Sequence, residues 1–135
     1  MYKNILVPVL FDEGHDTQAS YRAAHALASE GARYSVIHVL EEIPAYASSE
    51  IPHDVLEKSQ QVAADALKDS AQALPGAKVA LISGHAGKTI VDYASENGID
   101  CIVMASHRPG IEDFFLGSTA SRVVRHAKCS VHIIR

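Results

Sequence analysis

Short apolar runs alternate with longer segments of helical periodicity along the whole chain. The runs are apolar almost without interruption and predict five strands, at residues 4–10, 34–40, 78–83, 99–105 and 130–134. The periodic segments between them predict four helices, at residues 17–30, 54–74, 88–97 and 118–127. Strands and helices that alternate in this way indicate βαβ units, so we expect an α/β fold: an open parallel sheet with helices on both faces.

Turn signals divide these elements. Gly31 is expected to end the first helix and Gly98 the third, since glycine is the usual residue just after a helix. The connection at residues 41–53 is unusually long, which is typical of a binding loop or lid. There is neither an internal repeat nor a linker, so we expect residues 1–135 to form a single domain.

Composition narrows the classes of protein. The chain is 47% hydrophobic and 21% charged, as in ordinary soluble domains, and it has neither a signal-peptide pattern nor a membrane-spanning stretch. We therefore expect a cytoplasmic protein with no membrane partner. The formal net charge of -4 argues against nucleic acid as a partner, because sequence-independent binding needs a basic surface. The spacing of Cys101 and Cys129 suits neither a metal site nor a disulfide framework.

A glycine-lysine-threonine triplet at Gly87 resembles the end of a phosphate-binding P-loop. The complete motif needs a glycine five positions earlier, where this chain has Ile82. A β-branched residue at that position belongs to a strand. We therefore interpret the triplet as a turn at Gly84 followed by a helix that starts near Lys88.

The loop after the fourth strand carries the stronger candidate chemistry. Gly117, Ser118 and Thr119 open a helix and offer N–H groups, hydroxyls and the positive end of a helix dipole to an anion. Ser106 and Arg108 can add donors from the strand end, and a guanidinium suits phosphate geometry. The alternative is that Ser118 only caps the helix and Arg108 is a solvated loop residue. The residues alone leave both interpretations open.

Several short motifs occur together in a characteristic order. The chain resembles the universal stress protein family over nearly its whole length, although each motif is weak by itself. The motifs are Lys3-Asn4-Ile5-Leu6-Val7-Pro8, Ile37-His38-Val39, Ile102-Val103-Met104-Ala105-Ser106-His107, Leu116-Gly117-Ser118 and Cys129-Ser130-Val131. The resemblance implies a Rossmann-like fold with strand order 3-2-1-4-5, homodimers and, as in many members, ATP bound at the carboxyl edge of the sheet.

The chain departs from the pattern of the nucleotide-binding members, which is Gly, two residues, Gly, nine residues and Gly-Ser/Thr. Ala105 and Arg108 stand where the two glycines are expected, and eight residues separate Arg108 from Gly117. Arginine cannot copy a glycine that needs positive φ. Ser-His-Arg-Pro resembles a variant from a filament-associated branch of the family. Leu10 stands where ATP-binding members often have an aspartate, and Asp12 is the candidate substitute.

The resemblance implies a binding role for each matched position. Val39 would contact adenine through its backbone, and residues 8–10 would line the base and ribose. The end of the fourth strand would contact the ribose and first phosphates, and the start of the last helix the outer phosphates. A Mg²⁺ ion would be held through the phosphates. The complete predicted set is Pro8, Val9, Leu10, Val39, Met104, Ala105, Ser106, His107, Arg108, Gly117, Ser118 and Thr119.

Other chemistry is less well supported by the sequence. The eight histidines include no pair with ligand spacing on one helix, so we expect no metal site. No residue is placed as a general base, which favours a nucleotide-binding regulatory module over an ATPase. A slow ATPase and a nucleotide-free interaction scaffold remain the alternatives. The last strand, 130–134, would lie at a sheet edge, and exposed edges are usually paired, so we expect a homodimer through it.

Overall fold

Ten elements of secondary structure are present in a computed structural model of the protein, which describes residues 1–9, 17–41, 45–106 and 116–135. Their order along the chain is strand, helix, strand, two helices, and then strands and helices in alternation. They are β1 (Tyr2–Pro8), α1 (Thr17–Leu27), β2 (Ala28–Leu40), α2 (Ala45–Ser48), α3 (His53–Ala71), β3 (Lys78–Ser83), α4 (Ala86–Glu96), β4 (Cys101–Ala105), α5 (Ser118–His126) and β5 (Ser130–Ile134).

The five strands form one sheet in the order β3-β2-β1-β4-β5, and every neighbouring pair is parallel. This confirms the predicted α/β class and strand order. β1 lies at the centre, where Ile5, Leu6 and Val7 are completely buried. Ile5 and Val7 contact a core cluster with α1 and α3, and Leu6 contacts a second cluster with α4 and α5. A strand covered on both faces explains why the apolar run is continuous.

Polar contacts tie the start of β1 to the turn before β4. The Asp100 carboxylate accepts hydrogen bonds from the N–H groups of Lys3 and Asn4, at 2.9 and 3.1 Å. The Asn4 side chain donates in turn to the carbonyls of Asn97 and Gly98. Gly98 has a φ of 64° and follows α4, as the sequence predicts. These contacts set the register between the central strand and the second half of the sheet.

The first helix is shorter than the expected 17–30. It ends at Leu27, and β2 begins at Ala28 instead of residue 34, because Ala28 pairs with Tyr2 of β1. The register then shifts before Asn4 pairs with Arg33. Gly31 has the positive φ of 77°, but it lies inside this irregular part of the strand and does not end a helix. Tertiary pairing therefore overrides local helical propensity here.

The remaining elements agree with prediction to within a few residues. β3 and β5 have the predicted bounds, α3 ends three residues early, and β4 starts two residues late. The prediction of four helices was wrong by one, because the short helix α2 lies in the long connection at 41–53. A single turn rich in alanine and serine gives little periodic signal. Residues 42–44 lie outside the described part of the chain, and the lid stays a prediction.

Gly87 allows α4 and α5 to approach closely. A Cβ atom at this position would lie 2.6 Å from Cδ and 3.0 Å from Cβ of Arg122. Such contacts are shorter than van der Waals separation, so any larger side chain must push the two helices apart or displace Arg122. The glycine of the P-loop-like triplet is thus explained by helix packing.

We expect Gly87→Ala to lower the free energy of unfolding by about 1 kcal/mol, because overpacking outweighs the gain in helix propensity. The measurement is urea unfolding followed by circular dichroism. Arg122→Ala removes the colliding Cγ and Cδ atoms, so the double variant should lose less than the sum of the single variants. Strict additivity would contradict the proposed contact.

Candidate functional site

The parallel strands β2, β1 and β4 are neighbours, so their carboxyl ends lie at the same edge of the sheet, and the end of β4 contacts the start of α5. From the central strand β1 the chain passes first to β2 on one side and later to β4 on the other, so the connections leave β1 in opposite directions. In open α/β sheets, ligands bind beyond the carboxyl ends of the strands at this switch point. The ends of β1, β2 and β4 and the start of α5 are therefore the place to look for a site.

At the end of β1, both backbone groups of Val9 bond to β2. The Val9 N–H donates to the Ile37 carbonyl at 2.9 Å. The Val9 carbonyl accepts from Nδ1 of His38 at 2.8 Å, which requires the proton of this half-buried ring to be on Nδ1. A side chain, and not the backbone, therefore makes the last contact between the two strands.

Val39 follows at the point where β1 no longer pairs with β2. Backbone groups of successive strand residues point alternately to the two neighbouring strands. Ile37 bonds toward β1 and Leu40 toward the β3 side, where its carbonyl accepts from the Gly84 N–H. The N–H and C=O of Val39 must then point to the β1 side, but the register of that pair ends at Pro8↔Ile37. A donor and an acceptor of Val39 thus point to the β1 side of the sheet, where neither pairs with a described residue of β1.

The end of β4 is joined directly to the start of α5. The Ser106 N–H donates to the Ile134 carbonyl at 3.1 Å, and the Gly117 N–H donates to the Ser106 carbonyl at 3.0 Å. A Cβ atom on Gly117 would lie 2.9 Å from that carbonyl oxygen. Glycine at this position therefore lets the helix start against the strand end.

The first turns of α4 and α5 differ in their electrostatics. Oε1 of Glu41 accepts a hydrogen bond from the Ala86 N–H at 3.2 Å, so the chain places its own carboxylate at the start of α4. The first turn of α5 contains no acidic residue, and Gly117, its N-cap, has no side chain to accept from the helix. Because N-terminal N–H groups attract anions, the start of α5 is the better phosphate site.

The Gly87 triplet serves a structural role at the start of α4. Gly84 turns the chain with a φ of 151°, and Lys88 Nζ bonds to Asp92 Oδ2 at 2.7 Å along the helix. Together with the Glu41 carboxylate, these contacts provide structural partners at the positions that a P-loop would use for phosphate. The interpretation as a turn and a helix start is confirmed.

The predicted site residues in the described part of the chain all lie at the ends of β1, β2 and β4 or at the start of α5. Val9, Met104 and Ser106 are buried, and Met104 packs in the core beside α4 and α5, so its side chain is structural. Exposed or half-buried are Pro8, Val39, Ala105, Gly117, Ser118 and Thr119. Leu10, His107 and Arg108 lie outside the described residues.

The cysteine thiols are separate from this edge. Burial, with smaller contributions from nearby Cys129 and Asp100, raises the pKa of the Cys101 thiol to about 11. Burial also raises the pKa of the Cys129 thiol. Both side chains are therefore protonated near neutral pH, which does not suit nucleophilic chemistry.

The described ranges hold no group of three or more His, Cys, Asp or Glu side chains arranged to bind a metal ion. Within the same ranges, no helix has the length and apolar character needed to cross a membrane.

Sequence reasoning missed the roles of two polar residues. In the sequence, His38 stands out only as part of a motif, and position 41 only as the start of the long connection 41–53. A histidine within the apolar run Val36-Ile37-His38-Val39-Leu40 is a signal that a buried polar group has a specific partner. Nothing local in the sequence connects Glu41 to a helix that starts 45 residues later.

An open parallel sheet with the strand order β3-β2-β1-β4-β5 and helices packed on both faces defines the Rossmann-like class of α/β domains. The model of the universal stress protein family matches residues 1–135, and the chain belongs to this family. A similar protein is universal stress protein G of Escherichia coli O157:H7, which is 29% identical over 149 residues that cover 100% of both chains.

Solved structures share the fold. Universal stress protein UspA from Lactobacillus plantarum is 29% identical, with a TM-score of 0.71, and the match covers 99% of this chain and 98% of that one. The protein named MJ0577 is 24% identical, with a TM-score of 0.81, over 99% of this chain and 96% of its own.

Three further structures of the same fold contain a nucleotide. A universal stress protein in complex with cAMP is 20% identical, with a TM-score of 0.68, over 99% and 97% of the two chains. The complex of the Archaeoglobus fulgidus protein with dAMP is 20% identical, with a TM-score of 0.67, over 99% and 98%. An Arabidopsis thaliana family member with AMP bound is 16% identical, with a TM-score of 0.64, over 98% and 90%.

We expect Gly117→Ala to lower the free energy of unfolding by about 1–3 kcal/mol, because a backbone carbonyl cannot move away from the new methyl group without shifting the strand end. Thermal unfolding measures the change. Ser118→Ala, at the next and exposed position, is the matched control and should change stability by less than about 0.5 kcal/mol. Equal stability of the two variants would contradict the close approach of α5 to β4.

Proposed function

We propose that this protein is a homodimeric adenine-nucleotide-binding module of the cytoplasm, in which the bound nucleotide alters contacts with other proteins. The observation that carries the proposal is the pair of backbone groups on Val39, which face the edge of the sheet on the side of β1. The first turn of α5 lies on the other side of the same strand end. Together they offer one subsite for a base and one for phosphate.

The Val39 edge suits adenine. An N–H and a C=O on one edge of a strand can bond to the ring nitrogen N1 and the exocyclic amino group of adenine, which present an acceptor beside a donor. Guanine in the same orientation presents these two groups exchanged, so it would meet donor with donor and acceptor with acceptor. The free-energy penalty for binding guanine should exceed the net contribution of the adenine hydrogen bonds, because a mismatched polar group loses its water without gaining a partner.

The spacing of the two subsites suits a nucleotide. β2 and β4 flank β1, so Val39 and Ser106 are separated by two strand spacings, or about 10 Å. This is roughly the length of a nucleoside, which would place the phosphates near Gly117, Ser118 and Thr119. The first-turn N–H groups and the two hydroxyls would then bond to phosphate oxygens, and Pro8 and Val9 would lie beneath the ribose.

The comparisons support adenine, since three proteins of this fold are in complex with cAMP, dAMP or AMP. ATP as the ligand, with Mg²⁺ held through its phosphates, is our proposal for this chain. The test is thermal unfolding of nucleotide-stripped protein with ATP and Mg²⁺, AMP, or GTP. Free ligand at a hundred times its Kd adds about 2.7 kcal/mol, on the order of 10 °C at this size. A shift with adenine nucleotides but not GTP would support the proposal; no shift at millimolar concentrations would refute it.

Measurement of phosphate release with ATP distinguishes a binding module from a slow ATPase. A binding module should release no phosphate above the rate of the protein-free control. Steady release that ends in ADP would place the protein among the enzymes of this fold instead. Binding without release would exclude both the ATPase and the nucleotide-free scaffold.

Ser118→Glu tests the phosphate subsite. A carboxylate in the first turn of α5 is favourable to the helix dipole, so the fold should keep its stability, but it repels phosphate. We expect calorimetric affinity for ATP to fall by at least about tenfold, or 1.4 kcal/mol, and affinity for adenosine to change little. Ser95→Glu, which adds the same charge at the exposed far end of α4, is the control. Equal ATP affinity of the two variants would rule out phosphate at α5.

The homodimer would form through β5, which is an edge strand of the described sheet. Because the Ile134 carbonyl bonds to Ser106, which directly follows β4, backbone groups of Val131 and Ile133 point outward. Val131→Pro removes an outward N–H and leaves the β4–β5 bonds in place. We expect it to shift the protein from dimer to monomer in light scattering.

Val79→Pro is the matched control for this experiment. Val79 has the equivalent position on β3 at the opposite edge, where its N–H points away from β2 because Gly84 bonds toward Leu40. The control should remain dimeric. A dimeric Val131→Pro variant would show that the interface lies elsewhere.

A further inference from the structure

We infer that His38 is a positioning residue which ends the β1–β2 ladder one rung early and so keeps the Val39 backbone open for adenine. The inference deepens the proposed function and rests on it for the identity of the ligand. It concerns a contact between two strands that can be measured without any ligand.

The geometry of the ladder gives the first step. In a continuous parallel pair, the rung after Val9 N–H to Ile37 carbonyl would be Val39 N–H to Val9 carbonyl. This rung is missing from the ladder, whose register ends at Pro8↔Ile37, and the Val9 carbonyl instead accepts from Nδ1 of His38 at 2.8 Å. The imidazole therefore takes the place of the Val39 N–H as the donor.

The burial of Val9 explains why some donor is needed. Val9 is only 4% exposed and packs in the core cluster with α1 and α3. A carbonyl at such a site is costly to leave without a partner. Without the imidazole, the Val39 N–H is the donor that a continued ladder would supply, and forming that rung would close the edge that we assign to adenine.

The His38 side chain reaches the Val9 carbonyl from one face of the sheet, and the Val39 side chain packs on the opposite face. Val39 contacts the cluster beside α4 and α5, whereas His38, as its neighbour in the strand, projects to the side of α1 and α3. The imidazole can thus hold the Val9 carbonyl without occupying space on the Val39 edge. A residue with a donor at the δ position is required for this geometry.

Amide hydrogen exchange by NMR on nucleotide-free protein is the first test. In the wild type, the Val39 amide should exchange at least tenfold faster than the Ile37 amide, which faces β1 within the ladder. His38→Ala should slow the exchange of Val39 by about tenfold, because the missing rung forms. Unchanged exchange of Val39 in His38→Ala would overturn the inference.

Two further substitutions of His38 test whether the position of the hydrogen-bond donor matters, or only the loss of the histidine. Asn places its amide nitrogen where Nδ1 lies, and Gln places it one bond further, where Nε2 lies. His38→Asn should therefore exchange like the wild type and His38→Gln like His38→Ala. His25→Ala, at an exposed histidine of α1, is the control and should match the wild type. Equal behaviour of the Asn and Gln variants would also overturn the inference.

Calorimetry with AMP and with ribose 5-phosphate then connects the ladder to the ligand. We expect His38→Ala to weaken AMP binding about tenfold and ribose 5-phosphate binding little, since only the base loses its partners. Equal weakening of both ligands would overturn the assigned role. If the wild type binds no AMP, the proposed function fails, while the exchange experiment still decides whether His38 ends the ladder.

Discussion

The whole arrangement depends on the central strand β1, which is paired on both sides and covered on both faces. Its three completely buried residues, Ile5, Leu6 and Val7, join the two hydrophobic clusters of the domain. A strand in this position has no free edge until it ends. β1 can therefore offer its backbone to a ligand only at its ends, and the two ends differ.

At the amino end, the sheet is closed by side chains. Asn4 and Asp100 satisfy the backbone groups where β1 and β4 begin, and Gly98 makes the turn. At the carboxyl end, a side chain satisfies one carbonyl and the next rung of the ladder is missing. In the described part of the chain, polar side chains thus satisfy the backbone at the amino edge of the sheet, whereas the β1–β2 ladder is incomplete at the carboxyl edge.

Electrostatics makes a second distinction, between two helices that start at the same edge. α4 begins beside the carboxylate of Glu41, and Lys88 is already paired with Asp92. α5 begins with glycine, serine and threonine and has no acidic residue in its first turn. The favourable interaction of an anion with a helix N-terminus is modest, so a carboxylate supplied by the chain is enough to make the start of α4 less attractive to a second anion than the start of α5.

The sequence predicted most of the fold because apolar runs and glycine turns are local signals. β3 and β5 were predicted to the residue, and the helix stop at Gly98 was correct. The end of α1 was predicted wrongly because the pairing of Ala28 with Tyr2 is a contact between residues distant in sequence. The roles of Glu41 and His38 have the same origin: each depends on a partner that only the folded sheet brings near.

The strand order has a consequence for folding during synthesis on the ribosome. β1, β2 and β3 are contained in residues 2–83, so this half of the sheet can assemble while the rest is still being made. One side of β1 then has no neighbour until β4 emerges from residue 101 onward. During that interval an apolar strand edge is open to pairing with other chains. This exposure ends when β4 pairs with β1, and the hydrogen bond between Asn4 and Asp100 joins the starts of these two strands.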